Sequence, residues 1–274
     1  MAEYDHIAVE PISTALGAVI QGVDCASELP QSVIDEVRAV WLKHLVVFFP
    51  DQVMTPEQQL AFARRFGKPA EYPMVQGLDE TPEVVAVVKL PHEQYNFGGI
   101  WHADTTYLQV PPIGALLLAR EIPPVGGDTL FANMYMAYET LSEGMKQMLT
   151  ELKVVQSSAK AGAARSRADR LEAASAPEPD VLEAAHPVVR IHPETGRKTL
   201  FVNYGHSVRF QGMTEEESEP VLSYLFRHQT RPEFTCRFQW AVGSMAMWDN
   251  RCTQHNPIND YHGFRREMHR VSIN

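Results

Sequence analysis

A histidine and an aspartate one residue apart, His102 and Asp104, stand in the run NFGGIWHADTTYL at 96–108. In a strand, residues i and i+2 point to the same face. Within a strand over about 100–108, the pair aims an imidazole and a carboxylate at one point, while Trp101 and Ala103 face the other way. A further histidine would complete a 2-His-1-carboxylate set, which holds non-haem Fe(II) on one face and leaves other positions open. The spacing does not choose it among the eleven histidines. A hydrogen-bonded His–Asp pair without metal is the simpler alternative.

The C-terminal stretch WDNRCTQHNPINDYHGFRREMHR, 248–270, strengthens the metal reading. His255 follows a strand end there. If 264–273 is a strand, Arg266, Met268 and Arg270 share one face. Two guanidiniums aimed into a core need anions, because an unpaired buried charge is very costly. A solvated basic face, or structural ion pairs with the many carboxylates, is the alternative.

These residues need elements to hold them. Val33, Ile34, Val37, Val40 and Trp41 make one apolar stripe and predict a helix over 31–44. LVVFF, ending at Pro50, reads as a buried strand. Thr55-Pro56-Glu57-Gln58 combines an N-cap, proline at N1 and a capping-box glutamine, opening a helix that stops at Gly67. Strands are expected over about 7–24, 83–89, 100–108 and 113–120, and helices over 133–140 and 142–153. Residues 188–203 form a hairpin about a PETG turn. Thr214 opens a helix to about 229. EFTCRFQW alternates as a strand, and a last pair of strands surrounds SMAMWDN and MHRVSIN. Many short strands with a few helices point to a mainly β, jelly-roll core. One domain over 1–274 is expected. The composition shifts only at about 157–185, Ala-rich and charged, read as a mobile insertion or a lid over the site.

The 274 residues carry 34 Asp and Glu against 24 Lys and Arg, a formal charge of −10. Such a chain makes a poor ligand for nucleic acid or an anionic membrane. Its three cysteines, Cys25, Cys236 and Cys252, are scattered and in no CxxC pattern, so free thiols and a reducing cytoplasm are expected. No apolar run approaches the length of a membrane span, and a soluble cytoplasmic protein is expected.

With these pieces assembled, the sequence resembles the Fe(II)/2-oxoglutarate-dependent dioxygenases of the taurine dioxygenase (TauD/TfdA) type, from about residue 7 to the end. The matching pieces are RRFGKP at 64–69, WHADTTY at 101–107, PPIGALLLAREIPPVGGDTLFANMYMAYETLS at 111–142, LFVN at 200–203 and WDNRCTQH…RREMHR at 248–270. The resemblance implies a double-stranded β-helix, a cupin-like distorted jelly roll with flanking helices. It implies that His102, Asp104 and His255 bind Fe(II), and that Thr129 and Arg266 hold the distal carboxylate of 2-oxoglutarate. The implied reaction uses O2, converts 2-oxoglutarate to succinate and CO2, and hydroxylates a substrate C–H bond. A homo-oligomer, dimer or tetramer, is implied as well.

Arg270 matches the position that binds the substrate's anionic group, with a salt bridge to Glu267 or to an insertion carboxylate as the alternative. The other substrate positions depart from taurine dioxygenase. Its anion-binding histidine falls at Tyr72, its amine-holding side chains near Val75, Phe97 and Gly98, and an aromatic at His206. The expected substrate is therefore a small anion with an apolar or aromatic body: an alkyl sulfonate, a sulfate ester or an aryloxyalkanoate. Gly98 and Gly99 are expected to let 92–99 close over it. Trp101 and Trp248 are expected to pack in the core, and Asp249 and Asn250 to orient His255 or to form a turn. Taurine oxidation itself, a metal-binding jelly-roll sensor, and a metal-independent hydrolase using His102 and Asp104 remain the rival readings.

Overall fold

The computed structural model describes residues 4–73, 75–160 and 181–274. Its main sheet contains β1 (Ala8–Pro11), β2 (Ala18–Gln21), β3 (Val46–Phe49), β4 (Pro69–Ala70), β5 (Val84–Lys89), β6 (Gly114–Glu121), β14 (Met245–Asp249) and β16 (Arg266–Ile273). The strand order is β1-β2-β3-β14-β6-β16-β4, with β5 also on β16. A smaller sheet of β7 (Thr129–Asn133), β13 (Thr235–Phe238) and β15 (Thr253–Pro257) contributes the other wall of the jelly roll.

Period-two alternation decides what lies between the walls. On β6, Leu116 and Leu118 belong to one core and Ala115 and Ala119 to another. On β16, Val271 and Ile273 join the first core and Met268 the second. The first core receives helix α1 (Gln31–His44) through Ile34, Val37, Val40 and Trp41, and helix α2 (Pro56–Ala63) through Leu60 and Phe62. The second lies between the sheets, where Phe131 of β7 meets Trp248 of β14 with ring centroids 6.0 Å apart. Arg266, Met268 and Arg270 share that inner face.

The expected capping box is present at Thr55 and Gln58, and a second one, Thr214 with Glu217, opens α5 (Glu215–Gln229). Helices α3 (Met134–Glu139) and α4 (Glu143–Thr150) are shorter than expected, because the chain turns into strand β8 (Lys153–Ser157). The expected insertion is trimmed at both ends. β8 pairs with β9 (Glu183–Pro187), so 183–185 is strand, and residues 161–180 lie outside the described residues. The hairpin of β10 (Val189–Ile191) and β11 (Lys198–Leu200) stands where the PETG turn places it. β12 (Ser207–Phe210) completes a sheet with β8 and β9.

The strand expected over 100–108 does not form. Residues 104–107 run as turns, and His102 makes only an isolated antiparallel bridge to His255. Thr105 has φ 45°, a left-handed conformation that a β-branched residue rarely adopts and that ends any strand there. Two glycines shape this loop by close approach. A Cβ on Gly98 (φ 70°) would lie 2.9 Å from His102 Cε1, and one on Gly99 only 1.9 Å from Asn96 Oδ1. The Asn96 amide in turn donates to Pro257 O at 3.0 Å.

Candidate active site

The isolated bridge brings two predicted ligands face to face. His102 N donates to His255 O at 3.0 Å and His255 N to His102 O at 2.9 Å. Their rings lie 4.2 Å apart, centroid to centroid. Ligand atoms of His102, Asp104 and His255 all fall within 4.8 Å of one another, and all three residues are buried. His102 Nε2 is 3.7 Å and His255 Nε2 3.9 Å from the same atom, Asp104 Oδ1.

Each donor is prepared for a metal by its surroundings. His102 Nδ1 lies 2.7 Å from the Ile100 carbonyl, which can only accept. That bond puts the ring proton on Nδ1 and leaves a lone pair on Nε2. Burial, reinforced by His102, pushes the His255 pKa well below the usual imidazole value, so this ring is neutral as well. Asp104 Oδ2 accepts from Trp248 Nε1 at 3.0 Å and faces Arg270 Nη2 at 2.9 Å. Burial opposes its charge, but the Arg270 guanidinium and the Trp248 indole work against burial, and the pKa lies at about 2. One carboxylate oxygen thus faces the imidazoles while the protein engages the other.

The aspartate's backbone is clamped too. Asp104 N donates to Asn250 Oδ1 at 2.7 Å, and Asn250 Nδ2 donates to the carbonyls of Asp104 and Pro112, each at 3.1 Å. Asn250 therefore replaces the missing strand neighbour. It holds Asp104, not His255 as expected. Trp248 packs in the core as expected, and its indole N–H also orients the carboxylate.

Asp249 faces elsewhere, into a second buried cluster. It accepts two bonds from Arg251, Nε to Oδ1 at 2.8 Å and Nη2 to Oδ2 at 2.6 Å, and its Oδ2 lies 3.0 Å from His192 Nε2. His192 Nδ1 accepts from the amides of Glu194 and Thr195, so Nε2 carries the proton. With Cys252 this trio also has the composition of a metal site. Both imidazole nitrogens and both carboxylate oxygens are already engaged.

Between the sheets, Val87, Phe97, Leu117, Thr129, Phe131, Pro257, Arg266 and Arg270 line a cavity together with the His102–Asp104–His255 trio and Trp248. Trp240 Nε1 donates to Thr129 Oγ1 at 2.9 Å, so the threonine's own O–H is left to donate elsewhere. Arg266 is 5% exposed, and its Nε and Nη2 have no hydrogen-bond partner among the described residues. These two N–H groups lie on one edge of the guanidinium, the fork that matches a carboxylate bidentately. Burial lowers the Arg266 pKa, with the Tyr261 phenol acting against that shift.

For Arg270, the alternative of a partner in the insertion falls largely outside the described residues. Among the described residues it does not pair with Glu267, which meets Arg265 and His269. Its partner is Asp104, and the Tyr72 ring lies 4.6 Å from its Cζ. Its Nη2, though close to Asp104, is off line for a hydrogen bond. Tyr72 in turn meets Phe97 edge-on at 5.8 Å. His206 does not line the cavity; its ring stands 6.3 Å from that of His102 and 5.0 Å from Tyr107. Gly98 contributes room, since any side chain there would press on the His102 ring. Sequence reasoning passed over Asn250 as the clamp of Asp104, Trp240 as the partner of Thr129, and Gly205, where a Cβ would lie 2.9 Å from His102 Cβ. Only the WDN run gave a signal for any of these.

Comparison with known proteins agrees with this arrangement. The family model described as taurine catabolism dioxygenase TauD, TfdA family matches residues 8–272. An (S)-phenoxypropionate/alpha-ketoglutarate-dioxygenase from Sphingobium herbicidovorans is 36% identical, over 90% of this chain and 88% of the relative. An alkylsulfatase from Acinetobacter baylyi is 32% identical, over 98% and 85%. The crystal structure of a taurine dioxygenase from Burkholderia xenovorans superposes with a TM-score of 0.83 at 36% identity, covering 98% of this chain and 89% of that one. The chain belongs to the TauD, TfdA family and is a 2-oxoglutarate-dependent dioxygenase built on a cupin-like jelly roll.

Proposed function

We propose that the chain uses Fe(II), 2-oxoglutarate and O2 to hydroxylate a small anionic substrate with an apolar or aromatic body. The observation that carries this reading is the Arg266 fork. Two buried N–H donors without a hydrogen-bond partner among the described residues open on the same cavity as the His102–Asp104–His255 set.

His102, Asp104 and His255 would hold the iron, which when bound supplies O2 activation coupled to oxidation of 2-oxoglutarate. Trp248 keeps Asp104 Oδ2 engaged, with the Arg270 charge beside it, and so leaves Oδ1 for the metal. Arg266 takes the distal carboxylate of 2-oxoglutarate on its fork, and Thr129 adds its hydroxyl proton. Such charge-assisted bonds are each worth about 1.5–3 kcal/mol net. Phe97, Val87, Leu117, Phe131 and Pro257 exclude water and offer apolar contact to the substrate. The off-line Nη2 of Arg270 supplies a donor for the substrate's anion.

An alkyl sulfonate, a sulfate ester or an aryloxyalkanoate fits these walls. Relatives named for alkyl sulfates and phenoxypropionate support that class. Hydroxylation beside the heteroatom would collapse to a carbonyl compound and release sulfite, sulfate or a phenol. Taurine is the second reading, favoured by the similar taurine dioxygenase structure, but among the described residues the cavity lining offers no carboxylate besides Asp104 to meet an amine. The test is succinate formation with Fe(II), 2-oxoglutarate and O2 across sulfonates, sulfate esters, aryloxy acids and taurine. Stimulation by taurine alone would exclude the proposed class. Turnover without iron or O2 would exclude the reaction.

A further inference from the structure

Lys89 is a buried cation to which the reaction assigns no task. It ends β5 directly opposite Arg266 of β16, so the two side chains leave the same face of the sheet, with Cβ atoms about 5 Å apart. Lys89 is 2% exposed, and its Nζ has no hydrogen-bond partner among the described residues. Its contact is the face of Tyr261, with Nζ 4.6 Å from the ring centroid. The Arg266 Cζ lies 5.9 Å from the same centroid, and the Tyr261 side chain is hydrogen-bonded to Arg266. Burial draws the Lys89 pKa down, while Glu93 acts against that shift.

The Tyr261 loop is itself fastened to the wall opposite Arg266. Asp260 Oδ1 accepts from Gly127 N at 2.8 Å, and Ile258 N donates to Asp128 O at 2.8 Å. A Cβ on Gly127 would touch Arg266 Cδ and Nε at 3.4 Å. The guanidinium is thus bordered by Gly127, Tyr261 and Trp240, whose ring centroid lies 5.8 Å from Cζ. A buried ammonium is costly, and two on one aromatic ring repel each other unless an anion arrives.

We propose that Lys89 and Tyr261 are positioning residues for Arg266. Tyr261 holds the guanidinium with its Nε–Nη2 edge toward the cavity, and Lys89 places a second positive charge at that end. Together they set the preference for a 2-oxo dicarboxylate over a 2-oxo monocarboxylate of the same length. The inference rests on the assignment of Arg266 to the co-substrate's distal carboxylate.

The experiment is anaerobic titration of the Mn(II)-loaded protein by calorimetry, with 2-oxoglutarate and with 2-oxopentanoate, which keeps the chelating end and loses the distal charge. Lys89→Met keeps the stem and removes the charge. It is expected to weaken 2-oxoglutarate about tenfold, as a charge at this range does in a medium of intermediate dielectric, and to leave 2-oxopentanoate unchanged. Lys89→Arg is expected to restore the preference. Tyr261→Phe keeps the ring, loses the bond to Arg266, and is expected to lower the preference too. An equal loss for both ligands, or no change in either variant, overturns the proposal. If wild-type protein and Arg266→Met bind 2-oxoglutarate alike, the assignment of Arg266 fails instead and takes the arm with it.

Discussion

Among the described residues, two buried clusters combine histidine and aspartate beside an arginine, and both have the composition of a metal site. In one, His102, Asp104 and His255 lie beside Arg270 and open on the inter-sheet cavity. In the other, His192 and Asp249 lie beside Arg251, whose Nη1 continues to Glu194 at 2.7 Å and thence to Arg38. The second cluster closes on itself. Each imidazole nitrogen of His192 and each oxygen of Asp249 has a partner, and the network ties the hairpin of β10 and β11 to the end of β14. Among the described residues the first keeps unspent capacity: Nδ1 of His255, two unmatched N–H groups on nearby Arg266, and an off-line donor on Arg270. Since buried polar groups normally find partners, unmet ones mark where a ligand belongs. Hydrogen-bond saturation, not composition, separates a site from a strut.

The comparison can be broken most directly at His255. His255→Gln should abolish turnover by more than about 100-fold, beyond what changes outside the ligand set usually cost. It should also remove the rise in melting temperature that Mn(II) gives the wild type. The same change at His192 should leave one ion bound per chain, and two ions bound by the wild type would refute the distinction.

Asp249→Ala tests the closed cluster, because it removes the bidentate partner of Arg251 and leaves that cation only Glu194. A loss of about 3–5 kcal/mol in urea-denaturation stability is expected, with the 2-oxoglutarate affinity of the folded protein preserved. Arg266→Lys gives a smaller effect. Replacing a bidentate fork by a point charge should raise the 2-oxoglutarate requirement by about 10–100-fold, from a loss of about 1.5–3 kcal/mol. The requirement for primary substrate should change little, whereas Arg270→Lys should show the reverse split.

The smallest effect is the pH dependence of the closed cluster. Burial opposes the charge on Asp249, but Arg251 and His192 hold its folded pKa below the ordinary 3.8. A depressed carboxylate pKa contributes stability that is complete above the unfolded value and disappears as pH falls through the folded one. Wild-type stability should therefore drop below about pH 4. Asp249→Asn, measured by urea midpoints between pH 5 and 3, should lose that part of the slope.

Much of this was legible from the chain. Helix α1 followed from its apolar stripe, α2 from its capping box, α5 from its start at Thr214, and the shared face of Arg266, Met268 and Arg270 from alternation. These signals are local, encoded within a turn or two of the residue concerned. The conformation around His102 and Asp104 was not legible, because it depends on Asn250, which supplies hydrogen bonds that a strand neighbour would otherwise give. The role of Asp249 was hidden likewise: its neighbours in sequence serve the open cluster, while its carboxylate serves the closed one.

The sequence by itself determined which elements form, which residues face inward and, through the family motifs, which reaction the chain performs. Tertiary structure alone decided which buried groups are saturated and which remain open. A side chain's capacity for a ligand is what remains after its neighbours in space have taken their share of its donors and acceptors. Most of those neighbours come from segments the chain brings together only on folding: Trp248 and Arg270 for Asp104, Trp240 for Thr129, and Lys89 for Arg266, whereas Ile100 and Tyr261 stand close in sequence to His102 and Arg266.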